Sequence, residues 1–207
     1  MTLPLILASA SPARTKLLAD AGIAHRVLVS DVDEDAATAA AGPLSPAETA
    51  LLLARAKAES VAASLTSGHV LGCDSVFEFE GEPYGKPWEP DVARERWQLM
   101  RGKSGVLHTG HWLITSPSST SDAGAPLAHG EVTSARVTFE DVSDSEIDAY
   151  VATGEPLQVA GGFTIDGLAG AFISGIEGDP HTVVGLSIST LRRLLAKSGV
   201  SITDLWA

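Results

Sequence analysis

The sequence predicts an α/β fold: a mixed, twisted sheet flanked by helices. Three observations carry that expectation. Apolar runs and helical segments alternate early in the chain, as in βαβ units. Further along, longer alternating segments joined by turns replace them, which is the pattern of antiparallel hairpins. The composition, 44% hydrophobic and 19% charged over 207 residues, is that of a globular chain able to bury a core without disulfides or a structural metal. No internal repeat or linker divides it, so residues 1–207 are expected to form one domain.

The elements follow in order. Leu3–Ala8 is a continuous apolar run and reads as a buried strand. Ser11-Pro12 supplies an N-cap and a first-turn proline for a helix that Gly22 closes. Ala24–Ser30 reads as a second strand, followed by the acidic loop Asp31–Asp35 and an alanine-rich stretch. Ser45-Pro-Ala-Glu48 is a capping box that opens a long helix to about Ser64. Val70–Phe79 is a strand pattern interrupted at Cys73-Asp74-Ser75, and Gly81-Glu82 is the turn of a hairpin returning through Tyr84. A helix is expected over Pro90–Met100, and strands over Leu107–Thr115 and Glu131–Phe139, separated by a hairpin loop at Ser116–Gly130. A second capping box, Ser143-Asp-Ser-Glu146, opens a helix that Gly154 stops. A glycine-rich stretch then leads to a final amphipathic helix over Ser187–Ser198, whose Leu191, Leu194 and Leu195 read as core.

Charge and composition exclude several classes. Fourteen basic residues against 26 acidic ones leave a formal charge of −12, which repels nucleic-acid backbones. A protein so acidic can bind an anion only by concentrating its few cations. The single cysteine, Cys73, rules out an internal disulfide and a cysteine-rich zinc site, and reads as a small buried residue. Apolar runs are too short to cross a bilayer, and Arg14 and Lys16 follow the first apolar run rather than precede it. No membrane partner and a cytoplasmic location are therefore expected. Gly102-Lys103-Ser104 imitates the end of a P-loop but lacks its first glycine and follows a helix. His108 and His111, three apart on a strand, point to opposite faces and read as surface or edge-strand histidines, not a zinc pair.

Three clusters can carry chemistry. In Leu7-Ala-Ser9-Ala-Ser11-Pro12-Ala13-Arg14 a strand meets a helix N-terminus, whose free N–H groups and dipole attract anions. Ser9 and Ser11 add hydroxyls, and Arg14 adds a fork suited to phosphate; a plain capped helix is the alternative. Lys57 lies among small helical neighbours, and Lys86 in the stiff Tyr84-Gly-Lys-Pro87. Asp74, after an apolar run, reads either as a general base or cation ligand or as an Asx turn. Asp33 and Glu34 read as Mg²⁺ ligands shared with substrate phosphates or as a solvated loop. Ala160–Gly170 is rich in glycine and allows close approach of a ligand, or simply tight turns.

These segments together resemble the Maf-type (septum-formation) nucleoside triphosphate pyrophosphatases. The resemblance is carried by Leu7–Arg14, Val32–Glu34, Ala54–Lys57, Gly72–Ser75, Gly85–Pro87, Thr153–Pro156, Ala160–Gly170 and Ile176–Leu186, in family order. It implies an elongated, two-lobed fold around a central nucleotide cleft, similar to inosine triphosphate pyrophosphatase. It also implies hydrolysis of nucleoside triphosphates, standard or modified, between the α- and β-phosphates, with Mg²⁺ or Mn²⁺. On that resemblance Asp74 matches the catalytic base, Ser9, Ser11, Arg14, Lys57 and Lys86 the phosphate-binding positions, and Glu34 a metal-side acid. Ala13, Ser75 and Asp166 stand where many members carry Arg, Thr and Gln associated with base selection. Members preferring methylated guanine nucleotides carry Trp at the Ala13 position, and the usual Asp-Lys pair is Gln158-Val159 here. The preferred base is therefore open. A homodimer agrees with the resemblance, though no residue pattern argues for it. The competing readings are a non-catalytic nucleotide-binding regulator of cell division and a phosphatase releasing inorganic phosphate.

Overall fold

The computed structural model describes residues 3–116 and 125–207. Seven strands form one mixed sheet: β1 (Leu5–Leu7), β2 (His25–Val27), β3 (Gly68–Phe79), β4 (Glu82–Tyr84), β5 (Ser104–Ser116), β6 (Leu127–Phe139) and β7 (Ile173–Glu177). Their order is β2-β1-β3-β5-β6-β7, with β4 paired to β3. β1 lies parallel to β2 and β3, and every other pairing is antiparallel. The α/β class with a mixed sheet is thus the observed one. The hairpin loop expected over Ser116–Gly130 falls largely outside the described residues; β6 already begins at Leu127.

Helices begin where their caps place them. α1 (Pro12–Asp20) is capped by Ser11, and α3 (Pro46–Ala62) and α5 (Asp144–Ala152) by complete capping boxes at Ser45/Glu48 and Ser143/Glu146. α4 (Pro90–Met100) spans the expected residues, and α7 (Ile188–Lys197) buries Leu191, Leu194 and Leu195. Three expectations are corrected. The acidic segment read as a loop begins a helix, α2 (Glu34–Ala41). There Asp33 accepts the Ala36 amide at 2.9 Å, Glu34 and Asp35 complement the dipole, and alanines follow. β3 runs without interruption through Cys73-Asp74-Ser75, because β5 pairs with it along the whole length. The glycine-rich stretch contains both β7 and a short helix, α6 (Pro180–Val184).

The two faces of β3 pack differently. On one face α3 presents Ala50, Ala54 and Ala58, and the sheet answers with Gly72 and Gly110. A Cβ on Gly72 would stand 2.0 Å from the Ala54 carbonyl oxygen, so helix and sheet touch backbone to backbone. On the other face two apolar clusters are separated. Leu71, Cys73 and Leu113 belong to one, with α1 and α7; Phe77, Phe79, Leu107, Val137 and Trp97 belong to the other. Between them runs a seam of polar side chains, Ser75, Thr109, His111 and Thr133, met by Thr182 and Ser187. Thr109, His111, Thr182 and Ser187 are fully buried.

Candidate active site

The register leaves a notch in the sheet. β1 covers the outer edge of β3 only as far as Leu71, and β4 covers the same edge again from Phe77. From Gly72 to Val76 no strand pairs with that edge. The loop leaving β1 and the loop leaving β4 start at the two ends of this gap, next to a switch point of the sheet where ligands of α/β folds are held.

The first loop gathers hydrogen-bond donors of the kind that suit an anion. Ser9 is buried, and its Oγ accepts both the Ser11 amide at 3.2 Å and Arg14 Nη1 at 3.0 Å. With both acceptor positions used, the Ser9 hydroxyl is left to donate outward. Among the described residues the amides of Ser9, Ala10 and Ala13 have no acceptor, and they stand at the positive end of α1. Arg14 is itself buried. It donates from Nε to Gly185 O at 2.6 Å, from Nη1 also to Cys73 O at 2.9 Å, and from Nη2 to Ser75 Oγ at 3.1 Å. A guanidinium has five donors, so one Nη2 hydrogen remains for a ligand. Arg14 frames this donor cluster more than it extends into it.

Asp74 projects from the notch onto the α3 face and is 9% exposed. Lys57, on α3, binds its Oδ1 at 2.6 Å and Glu34 Oε1 at 2.7 Å. Burial pushes the Asp74 carboxyl above the usual carboxylate range, while the charges of Lys57 and Arg14 pull against that shift. A carboxylate so placed binds protons more readily than an ordinary aspartate. The structure therefore brings Glu34, Lys57 and Asp74 into direct contact and places Ser9, Ser11 and Arg14 on the adjoining loop.

The second loop carries Lys86, exposed, with its ammonium 5.0 Å from the centre of the Trp88 ring. Among the described residues no hydrogen bond or ion pair joins Lys86 to Asp74, Lys57 or the Ser9–Arg14 loop; its loop is tied by Trp88 N to Leu157 O at 2.9 Å and by Arg96 Nη1 to Gly85 O at 2.6 Å. Opposite α1, the segment after Ala160 is tied down by Glu155, whose carboxylate accepts Thr164 Oγ1 at 2.6 Å, Leu168 N at 3.0 Å and Tyr150 OH at 3.0 Å. Burial alone would raise its pKa, but these donors hold it below the ordinary glutamate value. Asp166 is exposed on this segment, and its charge is felt by Lys16 on α1. Ala13 is half-buried in the first turn of α1, and Ser75 lies under the Arg14 fork.

Several polar residues of the seam went unnoticed in the sequence. Thr109 looks like an ordinary strand residue, marked only as a polar side chain at an inward position of an apolar strand, and Thr182 and Ser187, in α6 and at the cap of α7, carry no signal. His111 corrects an expectation: it is neither on the surface nor on an edge strand. Its Nε2 accepts the Ser187 amide at 2.8 Å, and burial, with Arg14 nearby, pushes its pKa down to about 4. His108 faces the other way, at 3.0 Å from Glu78. Cys73 is buried as expected, its thiol pushed up to about 12 by desolvation. Lys103 of the imitation P-loop pairs with Glu80 at 2.8 Å.

Comparison with known proteins gives the family. Residues 4–198 match the family model described as Maf-like protein. A protein of Leifsonia xyli subsp. xyli named nucleoside triphosphate pyrophosphatase is 53% identical, covering 98% of this chain and 96% of the relative. Relatives of the same name from Salinispora tropica, 51% identical, and Streptomyces coelicolor, 50% identical, cover 100% and 98% of this chain and 89% and 94% of their own lengths. With a notch, a donor-lined loop and a lysine-bound aspartate built from the very segments that carry the likeness, the chain belongs to the Maf-like protein family.

Proposed function

We propose that the protein is an enzyme that hydrolyses nucleoside triphosphates between the α- and β-phosphates, releasing a nucleoside monophosphate and pyrophosphate. The observation that carries this reading is the buried Asp74–Lys57 pair set in the sheet notch beside the Ser9–Arg14 cradle. The name shared by the relatives supports the bond cleaved.

In this reading the triphosphate lies across the notch. The free amides of the Ser9 loop, the outward Ser9 hydroxyl, Ser11, the remaining Arg14 hydrogen and Lys86 hold its oxygens. Water attacks the α-phosphorus, Asp74 takes the water's proton, and the bridging oxygen leaves with pyrophosphate. Lys57 keeps Asp74 ionised and aimed. The side chains left to meet the base are Ala13 and Asp166, on opposing segments. The small residue at 13 leaves room there that a longer side chain would fill.

The donors present fit a divalent cation. Asp74 and Glu34 converge on one ammonium, which leaves a negative charge uncompensated and hard oxygens facing the same space. Among the described residues no group of three or more His, Cys, Asp or Glu side chains comes together. Mg²⁺ or Mn²⁺ held by these carboxylates and completed by substrate phosphates matches that donor count. Such an ion supplies charge neutralisation for the phosphates.

The test is to incubate the protein with a panel of standard and modified nucleoside triphosphates, with Mg²⁺ and Mn²⁺ separately, and to identify products beside Asp74→Asn. Monophosphate and pyrophosphate are expected, with turnover reduced on the order of 10²-fold or more in the variant and nucleotide binding retained. Inorganic phosphate as product, or binding without turnover of any substrate, would overturn the reading.

A further inference from the structure

We propose that Thr109 is a positioning residue for this site, setting the phosphate cradle through Ser75 and Arg14. The proposal rests on the pyrophosphatase reading above. Thr109 sits in the middle of β5, fully buried in the polar seam between the two apolar clusters. Its hydroxyl donates to the Thr182 carbonyl at 2.8 Å. A hydroxyl has one hydrogen, so at its 2.9 Å contact with Ser75 Oγ Thr109 must accept and Ser75 must donate. Ser75 then has its hydrogen turned into the protein and meets Arg14 Nη2, 3.1 Å away, with a lone pair. Arg14 can only donate and the Thr182 carbonyl can only accept, so the chain of bonds runs one way from Arg14 to Thr182, and Thr109 is the link that anchors Ser75 to that carbonyl.

The other end of the same guanidinium depends on the same residue. Arg14 Nε donates to Gly185 O, at the C-cap of α6. That turn is fastened to β5 at two points: by Thr109 at Thr182 O and by His111 at the Ser187 amide. Thr109 thus governs both Ser75 at Nη2 and the carbonyl at Nε. Without its hydroxyl, the Ser75 hydrogen is released and the α6 turn loses one of its two fastenings to β5, keeping the Thr182–Thr133 bond to β6. The guanidinium that holds Ser9 Oγ is then no longer held in one orientation. Ser75 accordingly acts by orienting Arg14, and not by donating to the base.

The experiment compares Thr109→Val, which keeps the shape without the hydroxyl, with Thr109→Ser, which keeps the hydroxyl. For Thr109→Val we expect kcat to fall about tenfold with KM within about twofold. Inorganic pyrophosphate should bind several-fold more weakly in calorimetry, and the Arg14 Nε–H resonance should exchange faster with solvent. Thr109→Ser should restore most of the rate and the slow exchange. Ser75→Ala, which spares the α6 fastening, should show the same kind of loss to a smaller extent, and the double variant should lose little more than Thr109→Val. If Thr109→Val does not fold, Ser75→Ala carries the test on the same readouts. Wild-type kcat and unchanged Arg14 exchange in Thr109→Val, or in Ser75→Ala where that variant stands in, would overturn the proposal. So would a loss that Thr109→Ser fails to repair. A wild-type protein that hydrolyses no nucleoside triphosphate overturns the functional reading instead, while the Arg14 exchange still judges Thr109.

Discussion

In the proposed reaction, Lys57 is the group that keeps Asp74 ionised. Its ammonium, on a side chain only 11% exposed, touches Asp74 and Glu34 together. Burial favours the protonated form of Asp74, and Lys57 is the largest influence opposing it. Replacing Lys57 with Met removes that opposition and lets the Asp74 pKa rise further. A base must be ionised to work, so the acidic limb of the pH–rate profile should move to higher pH in Lys57→Met. Turnover at pH 6 should fall more than turnover at pH 8. An acidic limb left at its wild-type position would show that Asp74 is not the group that titrates. Both residues stood out in the sequence because their surroundings were wrong for their type: a lysine among alanines and an aspartate after an apolar run. Thr109 did not stand out, since threonine is ordinary in a strand and its importance lies in which way one hydrogen points.

At the scale of elements, α3 carries Lys57 to Asp74 only because its backbone rests directly on β3 and β5. The contact needs glycine at 72, where a methyl group would meet the Ala54 carbonyl at 2.0 Å and the Ala58 amide at 2.8 Å. Gly72→Ala should cost about 1–3 kcal/mol in denaturant unfolding, and should lower activity through the displaced lysine. Gly175→Ala on β7, where the added methyl meets nothing within 4 Å, is the matched control and should be near neutral. Equal stabilities for the two variants would mean that α3 can shift freely. Most of these elements were legible from caps: Ser11-Pro12 and the two capping boxes place their helices to within a residue or two. What was not legible has physical causes. β7 hides among glycines that carry no side-chain periodicity. α2, with no buried residue, shows no apolar stripe to separate it from a loop. The notch itself depends on where β1 and β4 stop along β3, which only the pairing of distant segments decides.

Across the whole molecule, the polar seam makes stability depend on pH. His111 is buried and neutral, with a pKa of about 4 against an ordinary value of 6.5. The unfolded chain takes up a proton there that the native protein refuses. The associated stability is therefore complete above pH 6.5 and is lost as pH falls toward and through 4. Asp74 works in the opposite sense, since a carboxyl raised by burial favours the folded state as it becomes protonated. Between pH 6.5 and 5 wild type should lose up to about 1.4 kcal/mol per pH unit from the histidine alone. His111→Gln can still accept from the Ser187 amide but does not titrate, and should show a shallower slope in denaturant titrations over that range. Identical slopes would place the acid sensitivity elsewhere.

The gap in the β3 edge has a consequence for how the protein behaves in a crowded solution. A free strand edge ordinarily invites another chain to add itself and begin an aggregate. Here the open stretch, Gly72 to Val76, is bounded by β1 on one side and β4 on the other. A foreign strand entering it would collide with both before its own hydrogen-bond ladder could lengthen. A strand added there could not extend past the chain's own strands at either end. The same interruption in which the proposed substrate would lie gives an added polypeptide no room to lengthen.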